Sequence, residues 1–223
     1  MKVYQRFKSA IPLGYKNFLS SRALRVIDDY HVHLRGILDR YCDENNLELR
    51  NPLFLMQNTV GDASKSKIFS CASQMYNNRR FFATIKAPEV TGTPSNYASE
   101  ASPALQEDIN YSFGSIDMLR DQFLRAGTAV FGDAWLWLVY EQRTHFFSLL
   151  FSYNTSSAVS WGANDWFSQP KLGTSITPIM CVNLWQYAYL TDYGLTKKHE
   201  YLRRWWDAID WKEVNAFFQE ANQ

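Results

Sequence analysis

Apolar residues recur at three- and four-residue steps along the first part of the chain. Between Ser20 and about Asn45 the residues Leu24, Ile27, Val32, Leu34, Ile37, Leu38 and Tyr41 follow this spacing, which is the one-face repeat of an amphipathic helix. Ser20 or Ser21 can cap its start, and the polar run Asp43-Glu44-Asn45-Asn46 ends it. A second helical pattern covers 64–85. There Ile68, Cys71, Ala72, Met75 and Tyr76 face one way and Lys65, Lys67 and Arg79 another, until Ala87-Pro88 stops the helix. Two such helices joined by a variable segment predict an antiparallel hairpin. Turn formers from Thr91 through Asn96, and again at Ser102-Pro103, mark a linker. Beyond it, 103–113 and 115–127 read as two helices, the second capped by Ser115.

The period then changes. Ala134-Trp135-Leu136-Trp137-Leu138-Val139-Tyr140 is rich in strand formers, and Glu141-Gln142-Arg143-Thr144 reads as a hairpin turn into a second strand over 145–153. A third strand is expected over 177–184 and a helical close over 200–220. The pattern predicts an α+β fold: an N-terminal helical hairpin, then a mixed domain with a three-stranded antiparallel sheet flanked by helices. The expected divisions are a basic arm over 1–18, the hairpin domain over 19–90 and the α+β domain over 103–223.

Composition adds the class and the compartment. The 223 residues are 46% hydrophobic and 20% charged, with 8 Trp, 13 Tyr and 15 Phe. That is enough to build a sizeable core, and the aromatic richness suits tight packing or a large interface. No apolar run reaches the roughly 18–20 residues that span a bilayer, so a soluble protein is expected. Three widely spaced cysteines, Cys42, Cys71 and Cys181, lie in apolar surroundings and read as buried free thiols in a reducing compartment. Net charge is only +1, yet residues 1–27 carry Lys2, Arg6, Lys8, Lys16, Arg22 and Arg25 with no acid. Such an arm suits a mitochondrial address, a nucleic-acid contact through Lys2, Arg6 and Lys8, or a plain solvated extension.

The chemistry-bearing stretch is Asn183-Leu184-Trp185-Gln186-Tyr187-Ala188-Tyr189-Leu190-Thr191-Asp192-Tyr193. It resembles the D-x-W-E-H-A-Y-Y-x-D-Y signature of the iron/manganese superoxide dismutases. Ile68-Phe69-Ser70-Cys71-Ala72-Ser73-Gln74-Met75-Tyr76-Asn77-Asn78 is similar to that family's I-F-N-N-A-A-Q-x-W-N-H helix, and Asn110-Tyr111-Ser112-Phe113-Gly114-Ser115 to its N-x-x-F-G-S joint. Phe131-Gly132-Asp133-Ala134-Trp135-Leu136-Trp137 resembles its first strand, and Tyr201-Leu202-Arg203-Arg204-Trp205-Trp206, with Ile209-Asp210-Trp211, its closing helix and N-W turn. The likeness runs over about 18–220 in the family's order and implies the dismutase fold.

In the family three His and one Asp hold the iron or manganese. By this resemblance those positions are Ile27, Asn78, Asn183 and Tyr187. An aliphatic side chain offers no lone pair, and an amide is a weaker, uncharged donor than carboxylate or imidazole. Arg35 stands where the family has a site-lining Tyr, and Gln186 where a Glu reaches across the dimer. The resemblance therefore implies no metal, no cofactor and no catalysis. Asn78 and Asn183 are expected to be buried and to bond each other or Gln74. Mitochondrial ribosomes, notably fungal ones, carry dismutase-like small-subunit proteins with missing ligands, understood to pair as a heterodimer. The implied role is a structural protein of that subunit in the mitochondrial matrix. Its expected partners are a second dismutase-like protein, other small-subunit proteins and ribosomal RNA. His31, Gln186, Tyr189 and Tyr193 are the expected interface residues. The competing readings are an active dismutase with a rearranged site and a dimeric scaffold or redox chaperone outside the ribosome.

Few other motifs stand out. His31 and His33 are two apart on a helix and cannot chelate one metal. Asn154-Thr155-Ser156 matches the glycosylation sequon, a short and unspecific match. The clusters Lys65-Ser66-Lys67, Arg79-Arg80, Lys197-Lys198-His199 and Arg203-Arg204 are solvated faces or phosphate contacts.

Overall fold

The first apolar repeat forms helix α1 (Ser21–Glu44), whose start is capped by Ser20 through a 3.1 Å bond from the Ala23 N–H. The computed structural model describes residues 7–48, 50–88, 96–160 and 176–222. Lys2, Arg6 and residues 91–95 of the expected linker lie outside them. Between the two long helices the chain adds a short one that the periodicity did not reveal, α2 (Pro52–Thr59). Its start is nonetheless written in the sequence: Asn51 accepts the Leu53 N–H at 3.0 Å, and Pro52 sits at a first-turn position that needs no N–H donor. Helix α3 (Ser66–Ala83) returns antiparallel to α1. Lys67 and Arg79 are exposed as expected, but the buried face is wider than the apolar pattern, because Ser73, Gln74, Asn77 and Asn78 are buried too.

The sheet has the order β2-β1-β3, both pairs antiparallel. Strand β1 (Ala134–Glu141) is central, and its residues from Ala134 to Tyr140 are all buried, so it reads as an unbroken apolar run and not as an alternation. The turn through His145, in the left-handed region at φ 54°, leads to β2 (Phe146–Tyr153). Strand β3 (Ile176–Asn183) carries one extra residue, Ile179, between the partners of Leu138 and Val139. The three strands match the expected ones to within a residue.

Helices α4 (Pro103–Phe113) and α5 (Ile116–Ala129) precede the sheet, and α6 (Gln186–Tyr193), α7 (Lys198–Asp207) and α8 (Trp211–Ala221) follow it. The helical close expected over 200–220 is thus two helices, parted next to the turn that the resemblance placed at Ile209-Asp210-Trp211. At the break, residues 208–210 bond the end of α3 in place of continuing: Asp210 N–H donates to the Thr84 carbonyl at 2.8 Å and Lys86 N–H to the Ala208 carbonyl at 2.9 Å. The Asp210 carboxylate then caps α8 through the Lys212 N–H.

Two apolar clusters result. The smaller lies within the hairpin, joining Leu34, Leu38 and Cys42 to Leu55, Met56, Phe69 and Met75. The larger carries the sheet, with Trp135, Trp137, Trp205 and Trp211, and also takes in Ile27 and Phe81 of the hairpin and Phe7 and Phe18 of the N-terminal segment. All three cysteines are free and buried. No helix among the described residues is long and apolar enough to cross a membrane.

The N-terminal segment is fixed by a tight loop in which Tyr15 N–H donates to the Leu19 carbonyl at 2.7 Å. Gly14 enters it at φ 71°, and a Cβ there would stand 2.9 Å from the Leu19 carbonyl oxygen and the Ser21 nitrogen. We expect Gly14→Ala to lower unfolding free energy by about 1–3 kcal/mol. Gly36→Ala on the open face of α1, where a Cβ meets nothing, should leave it unchanged or raise it by up to about 1 kcal/mol. Urea denaturation of both variants checks the contrast.

Candidate functional site

Three elements converge beneath the hairpin. Helix α3 brings Asn78, the last residue of β3 is Asn183, and the first turn of α6 brings Tyr187. The chain leaves a strand and enters a helix between 183 and 187, which sets the two side chains against the same neighbour. Asn183 Nδ2 donates to Asn78 Oδ1 at 3.1 Å and to the Tyr187 hydroxyl at 3.0 Å. Asn78 Nδ2 donates to the same hydroxyl at 2.9 Å, and that hydroxyl lies 3.3 Å from Asn78 Oδ1. Asn183 Oδ1 accepts the Trp185 N–H at 2.9 Å, which helps turn the chain into α6, and the Asn183 carbonyl accepts the Tyr201 hydroxyl at 2.8 Å. The amides of Asn78 and Asn183 thus use both their donors and their acceptors on one another, on Tyr187 and on the backbone. Gln74, the other expected partner, instead donates to the Asn154 carbonyl at 3.4 Å.

Ile27 stands on α1 among the buried residues of the larger cluster, 1% exposed. One turn on, Tyr30 lays its ring against that of Tyr187, with centroids 4.8 Å apart. Sequence reading missed Tyr30, although its spacing of three from Ile27 places it on the same side of the helix. Burial pushes the Tyr187 phenol well above the ordinary tyrosine range. The bonds from Asn78 and Asn183 act against this, and the charges at Tyr30 and Asp133 add to it. Tyr187 is therefore a neutral phenol.

This donor set does not fit iron or manganese. Ile27 has no lone pair, both amide oxygens are engaged, and Tyr187 would have to ionise where burial opposes it. Among the described residues no group of three or more His, Cys, Asp or Glu is placed to hold a metal ion.

Residues 101–217 match the profile of the iron/manganese superoxide dismutases, C-terminal domain. The chain belongs to the iron/manganese superoxide dismutase family. It is similar to the small ribosomal subunit protein mS42 of Schizosaccharomyces pombe, 44% identical over 98% of this chain and 97% of that one. It is also similar to small ribosomal subunit protein mS43 of the same organism, 29% identical over 91% of this chain and 81% of the relative. Superoxide dismutase [Mn] 1 of Leptolyngbya boryana is 26% identical over 92% of this chain and 76% of its own. The α+β fold of the family is thus present, with neutral side chains at the centre.

The structure separates the expected interface residues. Gln186 is exposed at the start of α6, where its N–H donates to Asp133 Oδ1 at 3.0 Å. Asp133 is a second residue that sequence reading did not single out. His31 is half-buried on α1. Tyr189 and Tyr193 are buried within the chain, each ring 5.5 Å from that of Tyr201, and the Tyr193 hydroxyl bonds the Phe18 carbonyl. Their surface is spent on intrachain packing. Lys8, expected on RNA, forms an ion pair with Asp28 at 2.5 Å. Arg35 is exposed and pairs with Asp39 at 3.5 Å.

Burial lowers the His31 imidazole to about 4. Asp28 opposes the shift, and the like charges of Arg35 and Lys8 assist it. The unfolded chain, with an ordinary imidazole near 6.5, takes up this proton first as pH falls. His31 therefore contributes its full stability above about pH 6.5 and loses it progressively toward pH 4. His31→Gln should reduce the slope of unfolding free energy against pH in that window, measured by urea melts at half-unit steps; an unchanged slope would show that His31 does not set it. Tyr187→Phe leaves two buried amide donors without their acceptor and should cost about 1–3 kcal/mol in the same assay at neutral pH.

Proposed function

We propose that the chain is a non-catalytic structural protein of the mitochondrial small ribosomal subunit, acting in the matrix. On this reading it is the mS42-type half of a dismutase-like heterodimer, and its partner is mS43-like. The observation that carries the reading is the closed, neutral Asn78–Asn183–Tyr187 network with Ile27 beside it. Superoxide dismutation needs a group that cycles between two oxidation states, and these four side chains supply no ligand set for one. The likeness to mS42, even along nearly the whole of both chains, supports the ribosomal placement. Two fission-yeast relatives of the same family, both bearing small-subunit names, support a pair in place of a homodimer. His31 and Gln186, which are not fully buried within the chain, are the residues we place at the pair's interface. Other small-subunit proteins and ribosomal RNA complete the contacts.

Sedimentation of the tagged chain from a mitochondrial lysate tests this. Co-migration with the small subunit at low salt, persisting at high salt, is the expected result, because a built-in component is held by more than screened charge. Migration as a free dimer, at twice the 26.0 kDa of one chain, would remove the ribosome from the account.

A further inference from the structure

Where the N-terminal loop meets α6 and α7, two contacts clamp distant parts of the chain together. The Asp192 carboxylate accepts both the N–H and the hydroxyl of Ser20, at 2.7 and 2.6 Å, and Arg204 donates to the Asn17 carbonyl at 3.1 Å. Between them opens a cleft of about 400 Å³ with Lys16 and Lys197 among its lining residues. Its two carboxylates, the exposed Asp192 and the half-buried Glu200, are bonded to Ser20 and, at 2.7 Å, to Arg204. Lys16 and Lys197 are exposed, and among the described residues neither ammonium has a carboxylate within ion-pairing distance. The Lys16 and Asn17 amide N–H groups, in a loop that turns left-handed at Asn17 (φ 62°), bond no acceptor among those residues.

We infer that this cleft seats the phosphate backbone of RNA, with Lys16 and Lys197 as its two phosphate contacts. This rests on the ribosomal reading for its source of RNA, but not for its chemistry. Lysine is depleted from the cores of protein interfaces, which rely on aromatic anchors, and the aromatic residues lining this cleft, Tyr15, Phe18 and Tyr193, are buried within the chain and not offered to a partner. Free N–H groups beside point charges are what phosphate oxygens accept from. The inference also changes which basic residues matter. Lys8 is spent on Asp28, and the half-buried Lys198 is spent on the Val130 carbonyl at 2.8 Å.

The test is the salt dependence of binding between the purified full-length chain and a fluorescein-labelled RNA hairpin. Each phosphate contact contributes about 0.7–0.9 to the slope of log K against log salt. The double variant Lys16→Gln, Lys197→Gln should therefore lose about 1.5 from the slope. Lys212→Gln, an exposed lysine on α8, should lose less than half of that. Equal slopes for the wild type and the double variant would overturn the inference. So would competition by poly-glutamate as strong as that by unlabelled RNA of equal charge, since the cleft would then be reading any polyanion. Sedimentation of the same proteins separates this from the larger proposal. A wild-type chain absent from the small subunit sinks the ribosomal reading whatever the cleft does. A wild-type chain on the subunit, with an unaltered salt slope in the double variant, sinks the cleft alone.

Discussion

The junction of α3, β3 and α6 depends on the mutual hydrogen bonding of Asn78, Asn183 and Tyr187. Each is polar, each is enclosed, and an unmatched buried amide or hydroxyl costs about 1–3 kcal/mol. Three separate penalties of that size would be a large part of the stability of a domain whose total is about 5–15 kcal/mol. Closing the groups on one another removes them. The same atoms also order the backbone: Asn183 Oδ1 holds the Trp185 N–H that starts α6, and the Asn183 carbonyl holds the Tyr201 hydroxyl of α7. The hydrogen bonds therefore tie α3, β3, α6 and α7 together.

Neutrality is the second property of this centre. Tyr187 is a protonated phenol, uncharged at physiological pH, beside the neutral amides of Asn78 and Asn183. Around them lie rings: Tyr30 against Tyr187, Trp185 against Tyr187, and Tyr189 and Tyr193 on Tyr201. Such a centre rigidifies the fold without offering an electron or proton carrier. The charge lies elsewhere, on surfaces such as the cleft between the N-terminal loop and α7.

Much of the fold was legible because local signals and tertiary packing agree. Ser20 and Ser115 cap the helices they precede, and the turn after Glu141 closes a hairpin whose register pairs Glu141 with Phe146. Helix α2 was missed because eight residues are too few for the apolar repeat to register, even with Asn51-Pro52 announcing it. The break at 208–210 is invisible to periodicity because its cause is distant: bonds to residues 84–86 outcompete helix continuation. In the centre, the loss of ligating types at 27, 78, 183 and 187 could be read directly, as could the pairing of Asn78 with Asn183. The contribution of Tyr30, and the inward turn of Tyr189 and Tyr193, depend on how α1 and α7 lie against α6, which spacing along one chain does not encode.

The account makes the centre of a redox family's fold into a structural joint. Its most direct test is the iron and manganese content of the purified chain, expressed with both metals in excess and then desalted. The account predicts metal far below stoichiometry, with no difference between the wild type and Asn183→Ala. Stoichiometric iron or manganese in the wild type, lost in Asn183→Ala, would contradict it.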